Sequence, residues 1–263
     1  MTMSSNEKKM RNAVITGAGR RIGRAIALDL ASAGWQVAIH YFRSKCEAEL
    51  VVKEIEEAGG NASSFSADLG EPGSSARLIA NVGNALGPIT CLINNASIFE
   101  RDTVFTATKE TWDQHMDLNL WAPFQLAQSL VSQIPEESEG NIINIIDQRV
   151  WNLTPEFTTY TLSKVGLWGL TQILARALAP KVRVNGIGPG PTLQSIHQSV
   201  DTFAEEWAAM PLKRRVLPEE VASAVRFIIN SPSITGQMIA IDSGQHMGMA
   251  MGDPGPRLDD VSI

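Results

Sequence analysis

Residues 13–34, AVITGAGRRIGRAIALDLASAG, pass from a short apolar run into a glycine-rich turn and then a helical repeat. Residues 13–16 read as a strand. Ile22, Ile26, Leu30 and Ala33 recur at helical spacing, and Gly34 supplies the stop. Between them stand Gly17, Gly19 and Gly23, in the strand–turn–helix setting that a dinucleotide fingerprint requires. Glycine lets the backbone approach a pyrophosphate, and the helix N-terminus adds free N–H groups and positive potential. The spacing is G-x-G-x-x-x-G, one residue longer than the usual dehydrogenase fingerprint, so the glycines alone also fit a tight connection. Arg20 and Arg21 favour the first reading, because two cations inside a turn do little for folding and much for an anion.

Beyond this unit, strand-like runs near residues 36–40, 62–67, 90–94, 141–146, 183–187 and 238–241 alternate with helical patterns. The helices are expected at 46–58, 73–86, 108–130, 155–179 and 218–230, the third holding Asn119 and taking Pro123 as a kink. Residues 193–211 read as a helical flap of mixed polarity. The pattern is that of an α/β, doubly wound Rossmann-type parallel sheet of about seven strands flanked by helices. There is no internal repeat or linker, so residues 1–263 are expected to form one domain. Residues 1–11 and 248–263 are expected to be flexible or subunit-contacting tails.

Composition narrows the class. Of the 263 residues 44% are hydrophobic and 19% charged, and the net charge of −6 comes without a basic run, which argues against nucleic-acid binding. Two cysteines, Cys46 and Cys91, make no disulfide framework, and four scattered histidines give no metal spacing. The first twelve residues lack an apolar signal core, and no run is long enough to span a membrane. A cytoplasmic globular protein acting on a small molecule is expected.

At the end of the second strand, where an acid would hold the ribose of NAD, the chain reads His40-Tyr41-Phe42-Arg43-Ser44. No carboxylate repels a 2′-phosphate there, and Arg43, Ser44 and His40 can hydrogen-bond one, which points to NADP(H). A solvated helix entry with Ser44 as N-cap is the structural alternative. Asp68 either accepts from an adenine amino group or caps a turn. Asn94 and Asn95 close an apolar strand at the edge where ligands sit in such folds, and are expected to tie strands together beside a cofactor.

Residues 141–179, NIINIIDQRVWNLTPEFTTYTLSKVGLWGLTQILARALA, carry the chemistry. A strand ends on Asp147, and Tyr160 and Lys164 follow at i and i+4 on one helix face. An ammonium so placed is expected to lower the phenol pKa and make Tyr160 a usable proton donor and acceptor.

Taken together, Thr16-Gly17 with Gly23, Asp68-Leu69, Asn94-Asn95-Ala96, Asn119, Tyr160 with Lys164, the run 184–190 and Asp242 resemble the short-chain dehydrogenase/reductase family over residues 13–244. The resemblance implies a single Rossmann-type domain, commonly assembled as a homotetramer. It also implies Tyr160 as acid/base, Lys164 on the nicotinamide ribose, and Asn119 maintaining a relay water. It extends the expected cofactor set to Ile22, Tyr41, Phe42, Leu69, Asn95, Ala96, Ser97, Pro189 and Gly190.

Two positions depart from the usual family pattern: Arg21 stands in place of a turn glycine, and Asp147 in place of the catalytic serine. With His40–Ser44 and the Asn94–Phe99 run, they resemble the pteridine reductase branch, which includes dihydromonapterin and alternative dihydrofolate reductases. In a ketone reductase, an ionised Asp147 would repel the developing alkoxide by roughly a few kcal/mol. Reducing a pterin C=N bond instead leaves a ring nitrogen that needs a proton, which an acid near Tyr160 helps deliver.

Phe99 suits a flat heterocycle, by stacking worth about 0.5–1.5 kcal/mol beyond its area, or else anchors a loop in the core. By resemblance Ser97 contacts cofactor and substrate, and Arg21 bridges pyrophosphate and pterin oxygen. Asp147 alternatively is structural, an N-cap or a partner of Arg149. Trp151, Trp207 and Met210 are candidates for the pocket rim. The competing functions are a 3-oxoacyl-thioester reductase and a dinucleotide-sensing protein without catalysis.

Overall fold

In the computed structural model, residues 11–194 and 198–248 are described. Seven strands form one parallel sheet in the order β3-β2-β1-β4-β5-β6-β7. They are β1 (Asn12–Ile15), β2 (Gln36–Tyr41), β3 (Asn61–Ser66), β4 (Cys91–Asn94), β5 (Gly140–Ile145), β6 (Val182–Pro189) and β7 (Met238–Ile241). The central strands are buried on both faces, so they read as continuous apolar runs rather than alternating ones; β1 is buried at all four positions. The helices are α1 (Arg21–Ser32), α2 (Lys45–Glu57), α3 (Ser74–Leu86), α4 (Lys109–Met116), α5 (Ala122–Val131), α6 (Thr158–Ala177), α7 (Val200–Ala208) and α8 (Pro218–Ile229).

One core packs α1, α2 and α8 on a face of the sheet, around Ile26, Leu30 and Val225. The other packs α3, α5 and α6 on the opposite face, around Leu78, Leu126 and Leu174. Strand order reverses between β1 and β4, and in open α/β sheets the crevice beyond the strand ends at such a point receives the ligand. The expected tails, apart from Arg11 and Gly248, lie outside the described residues.

The helix expected at 108–130 runs unbroken from Lys109 to Val131 as α4, a π-helical turn over Asp117–Trp121, and α5. Pro123 follows the π-helical turn inside this helix, a local irregularity that accommodates its missing N–H. Two expectations need correction. The helix expected from 155 begins at Thr158, since Phe157 is left-handed at φ 56° and Gln148–Trp151 form a separate 3-10 turn. Of the flap, only Val200–Ala208 is helical among the described residues.

Candidate active site

The phosphate turn is fixed by the side chains of His40, Asn95 and Thr16 bonding to main-chain groups. Gly17 takes φ +64°, and its N–H donates to His40 Nδ1 at 3.1 Å. Asn95 Nδ2 donates to the carbonyls of Thr16 (2.8 Å) and Gly17 (3.1 Å). Thr16 Oγ1 accepts from the N–H groups of Asn95 and Ala96, each at 2.9 Å. At Gly23 a Cβ would lie 2.5 Å from the Gly17 carbonyl oxygen, so only glycine lets α1 start this close to the turn. No side chain caps α1, which leaves its first N–H groups for an anion. The turn therefore fits a pyrophosphate. The asparagines do tie strands: Asn94 Nδ2 donates to Asn144 Oδ1 at 2.8 Å, across β4 and β5.

A cleft of about 400 Å³ opens beside the turn. From the expected set it gathers Gly17, Arg20, Arg21, Ile22 and Gly23, then Asn95, Ala96, Ser97 and Phe99, and finally Asp147, Tyr160, Lys164, Pro189 and Gly190. Asn119, His40, Tyr41, Phe42, Arg43, Ser44, Asp68 and Leu69 stand outside it.

Some of those outliers have other work. His40 is 2% exposed, its Nε2 donates to the Ala67 carbonyl at 3.1 Å, and burial pushes its pKa down to about 4. Both ring nitrogens are thus engaged with the main chain, so His40 braces the turn rather than reaching a 2′-phosphate. Asp68 Oδ1 accepts from the Gly70 N–H at 3.0 Å, the turn-capping alternative, and the Leu69 side chain is core. Ser44 occupies the N-cap position of α2, but its side chain makes no capping bond. Arg43 is exposed, with its guanidinium 4.7 Å over the Phe42 ring.

Asp147 joins two expectations that sequence alone sets against each other. Its Oδ1 accepts from the Arg149 N–H at 2.8 Å, capping the 3-10 turn, while Oδ2 accepts from the Tyr160 hydroxyl at 2.9 Å. Lys164 Nζ donates to the Ile145 carbonyl at 2.9 Å and lies 5.7 Å from the Tyr160 ring centre. The expected lowering of the phenol pKa is reversed here. Burial, and then Asp147, raise Tyr160 well above its ordinary value, because the carboxylate is at hydrogen-bond distance and the ammonium is held by a carbonyl. Burial lowers Lys164 to about 8, against the pull of Asp147.

Asn119, in the π-helical turn, uses its side chain to hold a loop. Its Oδ1 accepts from the Ile98 N–H and from Ser97 Oγ, both at 3.0 Å, and Nδ2 donates to the Ile98 carbonyl and Ser163 Oγ, both at 3.1 Å. Phe99 fulfils both its readings: it borders the cleft and also stacks on Phe157 (4.2 Å, 12°) and meets the Tyr160 ring edge-on (4.7 Å, 81°). Arg21, left-handed at φ 55°, donates to the flap carbonyls of Gln194 (2.9 Å) and Leu193 (3.0 Å).

Trp151, Trp207 and Met210 do not line the cleft; Gln148, Arg149, Glu206 and Gln245 do. Sequence reasoning also missed a buried set behind the wall. Asp102 Oδ1 accepts from the Thr159 N–H at 3.1 Å, and its Oδ2 accepts from Thr159 Oγ1. His115 Nε2 accepts from the Glu100 N–H at 3.2 Å, and Nδ1 lies 2.8 Å from Thr159 Oγ1. No spacing rule announces such a set, since its members come from a loop and two helices.

Residues 17–246 match the family model described as enoyl-(acyl carrier protein) reductase. The chain is a short-chain dehydrogenase/reductase. Among sequences, this reductase is similar to 3-oxoacyl-(acyl-carrier-protein) reductase FabG of Staphylococcus epidermidis, 32% identical over 90% of this chain and 99% of that protein. The corresponding reductase of Synechocystis is 34% identical over 89% and 96%. Among solved structures, FolM alternative dihydrofolate reductase 1 from Brucella canis, complexed with NADP, is 44% identical over 93% of this chain and 96% of that one, with a TM-score of 0.88. No described helix is long and apolar enough to cross a membrane, and no described cluster of three or more His, Cys, Asp or Glu could hold a metal ion.

Proposed function

We propose that this short-chain reductase uses NADPH to reduce a C=N bond of a pterin or dihydropterin. The observation that carries the reading is the Asp147–Tyr160 hydrogen bond of 2.9 Å, at the place where the family ordinarily sets a serine. A carboxylate is a poor neighbour for a ketone that becomes an alkoxide and a useful one for a nitrogen that must gain a proton. The 44% identity with the NADP-bound FolM alternative dihydrofolate reductase, beside 32% with FabG, supports the same choice.

The nicotinamide supplies the hydride when bound. Arg43 and Ser44, with no carboxylate among residues 40–44, favour the 2′-phosphate of NADPH. Arg20, Arg21 and the uncapped start of α1 take the pyrophosphate, and Lys164 takes the ribose. Tyr160 Oη keeps its proton at neutral pH, directed at Asp147 Oδ2. One further proton on that carboxyl turns the pair into a donor toward the ring nitrogen. Burial excludes bulk water from Tyr160 and Lys164, which are 7% and 3% exposed. A homotetramer belongs to the same reading, supported by the exposed Leu162, Val165 and Ile173 along α6. A solution mass equal to one chain would remove it.

The runner-up is a 3-oxoacyl-thioester reductase, favoured by the FabG similarity. A panel of dihydropterins, dihydrofolate, quinones and acetoacetyl thioesters, followed by NADPH oxidation, separates the two. Turnover of pterins well above thioesters is expected. Turnover of thioesters with none of pterins would replace the leading reading with the second.

A further inference from the structure

The cleft has a wall that neither the phosphate turn nor the Asp147–Tyr160 pair supplies. Thr192 and Leu193 contribute to it from the segment after β6, Glu206 from α7, and Gln245 from the 3-10 turn Gln245–Met247. Glu206 is half-buried there. Its Oε2 accepts from Gln198 Nε2 at 2.6 Å and its Oε1 from Gln245 Nε2 at 3.4 Å. Both donors are neutral amides, so they hold the carboxylate on this wall without cancelling its charge. Among the described residues that line the cleft, only Asp147 and Glu206 carry a carboxyl group. Asp147 is already bonded to the Tyr160 hydroxyl and the Arg149 N–H.

The cations of the cleft have other partners on the pterin reading. Arg20 and Arg21 meet the pyrophosphate, Arg21 also meets the ring oxygen, and Lys164 meets the ribose. The Arg149 guanidinium donates to Thr154 Oγ1 at 2.7 Å and lies 5.1 Å over the Phe157 ring. The substrate ring then spans from Arg21 to the Asp147–Tyr160 pair. In a 7,8-dihydropterin the side chain leaves from the carbon of the reducible C=N bond, so it departs beside that pair and runs against the wall that remains. There it meets a fixed negative charge. A carboxylate accepts from hydroxyl groups and repels a second carboxylate.

We infer that Glu206 selects the substrate by the charge of its side chain, ranking neutral, hydroxyl-bearing pterins above those that carry carboxylates. The inference rests on the pterin reading and adds to it the class of side chain and the residue that chooses it. Discrimination works here by repulsion of the wrong side chain as much as by attraction of the right one. It ranks and does not exclude. A carboxylate-bearing pterin still sets its ring between Arg21 and Tyr160 and is reduced, but less efficiently.

The test compares 7,8-dihydrofolate with its dimethyl ester, which keeps the ring and the length and removes both charges, beside 7,8-dihydrobiopterin, whose side chain is a neutral diol. In wild-type protein, kcat/KM at saturating NADPH and low salt is expected to favour the ester over the acid about tenfold. Glu206→Gln, which keeps the shape and removes the charge, should bring that ratio to within about threefold of one, and Glu206→Lys should invert it. Raising salt should narrow the wild-type ratio, a measurement that needs no variant. NADPH affinity within about twofold of wild type reports an intact fold in each variant. An ester-to-acid ratio that neither variant moves overturns the role of Glu206, whatever salt does. Wild-type protein that reduces none of the three pterins overturns the pterin reading itself.

Discussion

The phosphate turn and the Phe99 loop both border the cleft, and each is fastened by a buried neutral histidine. In the turn, His40 Nδ1 accepts from the Gly17 N–H while Nε2 donates to the Ala67 carbonyl. At the loop, His115 Nε2 accepts from the Glu100 N–H while Nδ1 faces the Thr111 carbonyl and Thr159 Oγ1. The two differ in what else holds them. The turn lies between β1 and α1, its close approaches are made by glycines, and the Asn95 and Thr16 side chains bond only to main-chain groups around it. The loop is irregular and depends on the side chains of Asn119, Asp102 and Thr159. On the proposed reading, the turn offers the cofactor the uncapped main-chain start of α1, whereas the loop offers the substrate side chains that a chain can exchange.

The largest effect should come from the substrate side. Tyr160→Phe removes the hydroxyl that faces Asp147 and should lower kcat about a hundredfold or more, the scale of general acid catalysis, with NADPH affinity little changed. Steady-state turnover beside cofactor titration checks this, and near wild-type turnover would take Tyr160 out of the mechanism. Next comes Asp102→Ala, which strips the acceptors from the Thr159 N–H and hydroxyl at the start of α6. Roughly 2 kcal/mol of stability should be lost, as expected for orphaned buried donors at a helix start. Urea unfolding measures the loss, and kcat should fall further than NADPH affinity, since Tyr160 and Phe99 shift while the turn does not. Equal loss in both would mean the two sides are not separable.

What could be read from sequence follows the same division. Residues 13–34 declare their strand, turn and helix because glycine spacing and a 3.6-residue apolar period are local properties. The last strand, Met238–Ile241, was legible as an apolar run with a polar end, whereas the Asp147–Tyr160 pairing came from the family resemblance and not from a local offset. The helix over 108–130 was legible too, but its π-helical turn was not, because such a turn leaves no compositional mark. The left-handed Phe157 was not legible either, since a phenylalanine gives no hint of positive φ; its N–H is held by the Asp102 carbonyl at 2.8 Å. His40 was misassigned to a phosphate because sequence places it at the right strand end without telling which way the ring turns. Lys164 was paired with the wrong partner for the same reason, as helical offset fixes a face and not the hydrogen bond.

Arg43→Ala tests the cofactor side at its open end. It should weaken NADPH about tenfold relative to NADH, the loss of one charge-assisted contact of roughly 1.4 kcal/mol. Fluorescence titration with both nucleotides measures the ratio. Equal weakening of the two would assign Arg43 to general attraction and leave the 2′-phosphate to other groups.

The smallest effect returns to the paired histidines and separates them by pH. Burial holds His40 at about 4 in the fold, against an ordinary value of 6.5, and lowers His115 as well. A depressed folded pKa means that the unfolded chain binds more protons between the two values. The stabilisation is therefore complete above about pH 6.5 and is lost as pH falls toward 4. For His40 the loss between pH 7 and 5.5 should be about 1 kcal/mol. In His40→Asn, urea midpoints should change less over that interval, by about the same amount. NADPH affinity should also be weaker in that variant at every pH, because Gly17 loses the ring nitrogen that orients it. His115→Asn should also flatten the acid limb, in the same direction, but weaken substrate rather than cofactor. If both variants lose cofactor and substrate affinity together, the two fastenings act as one, and the division between turn and loop does not hold.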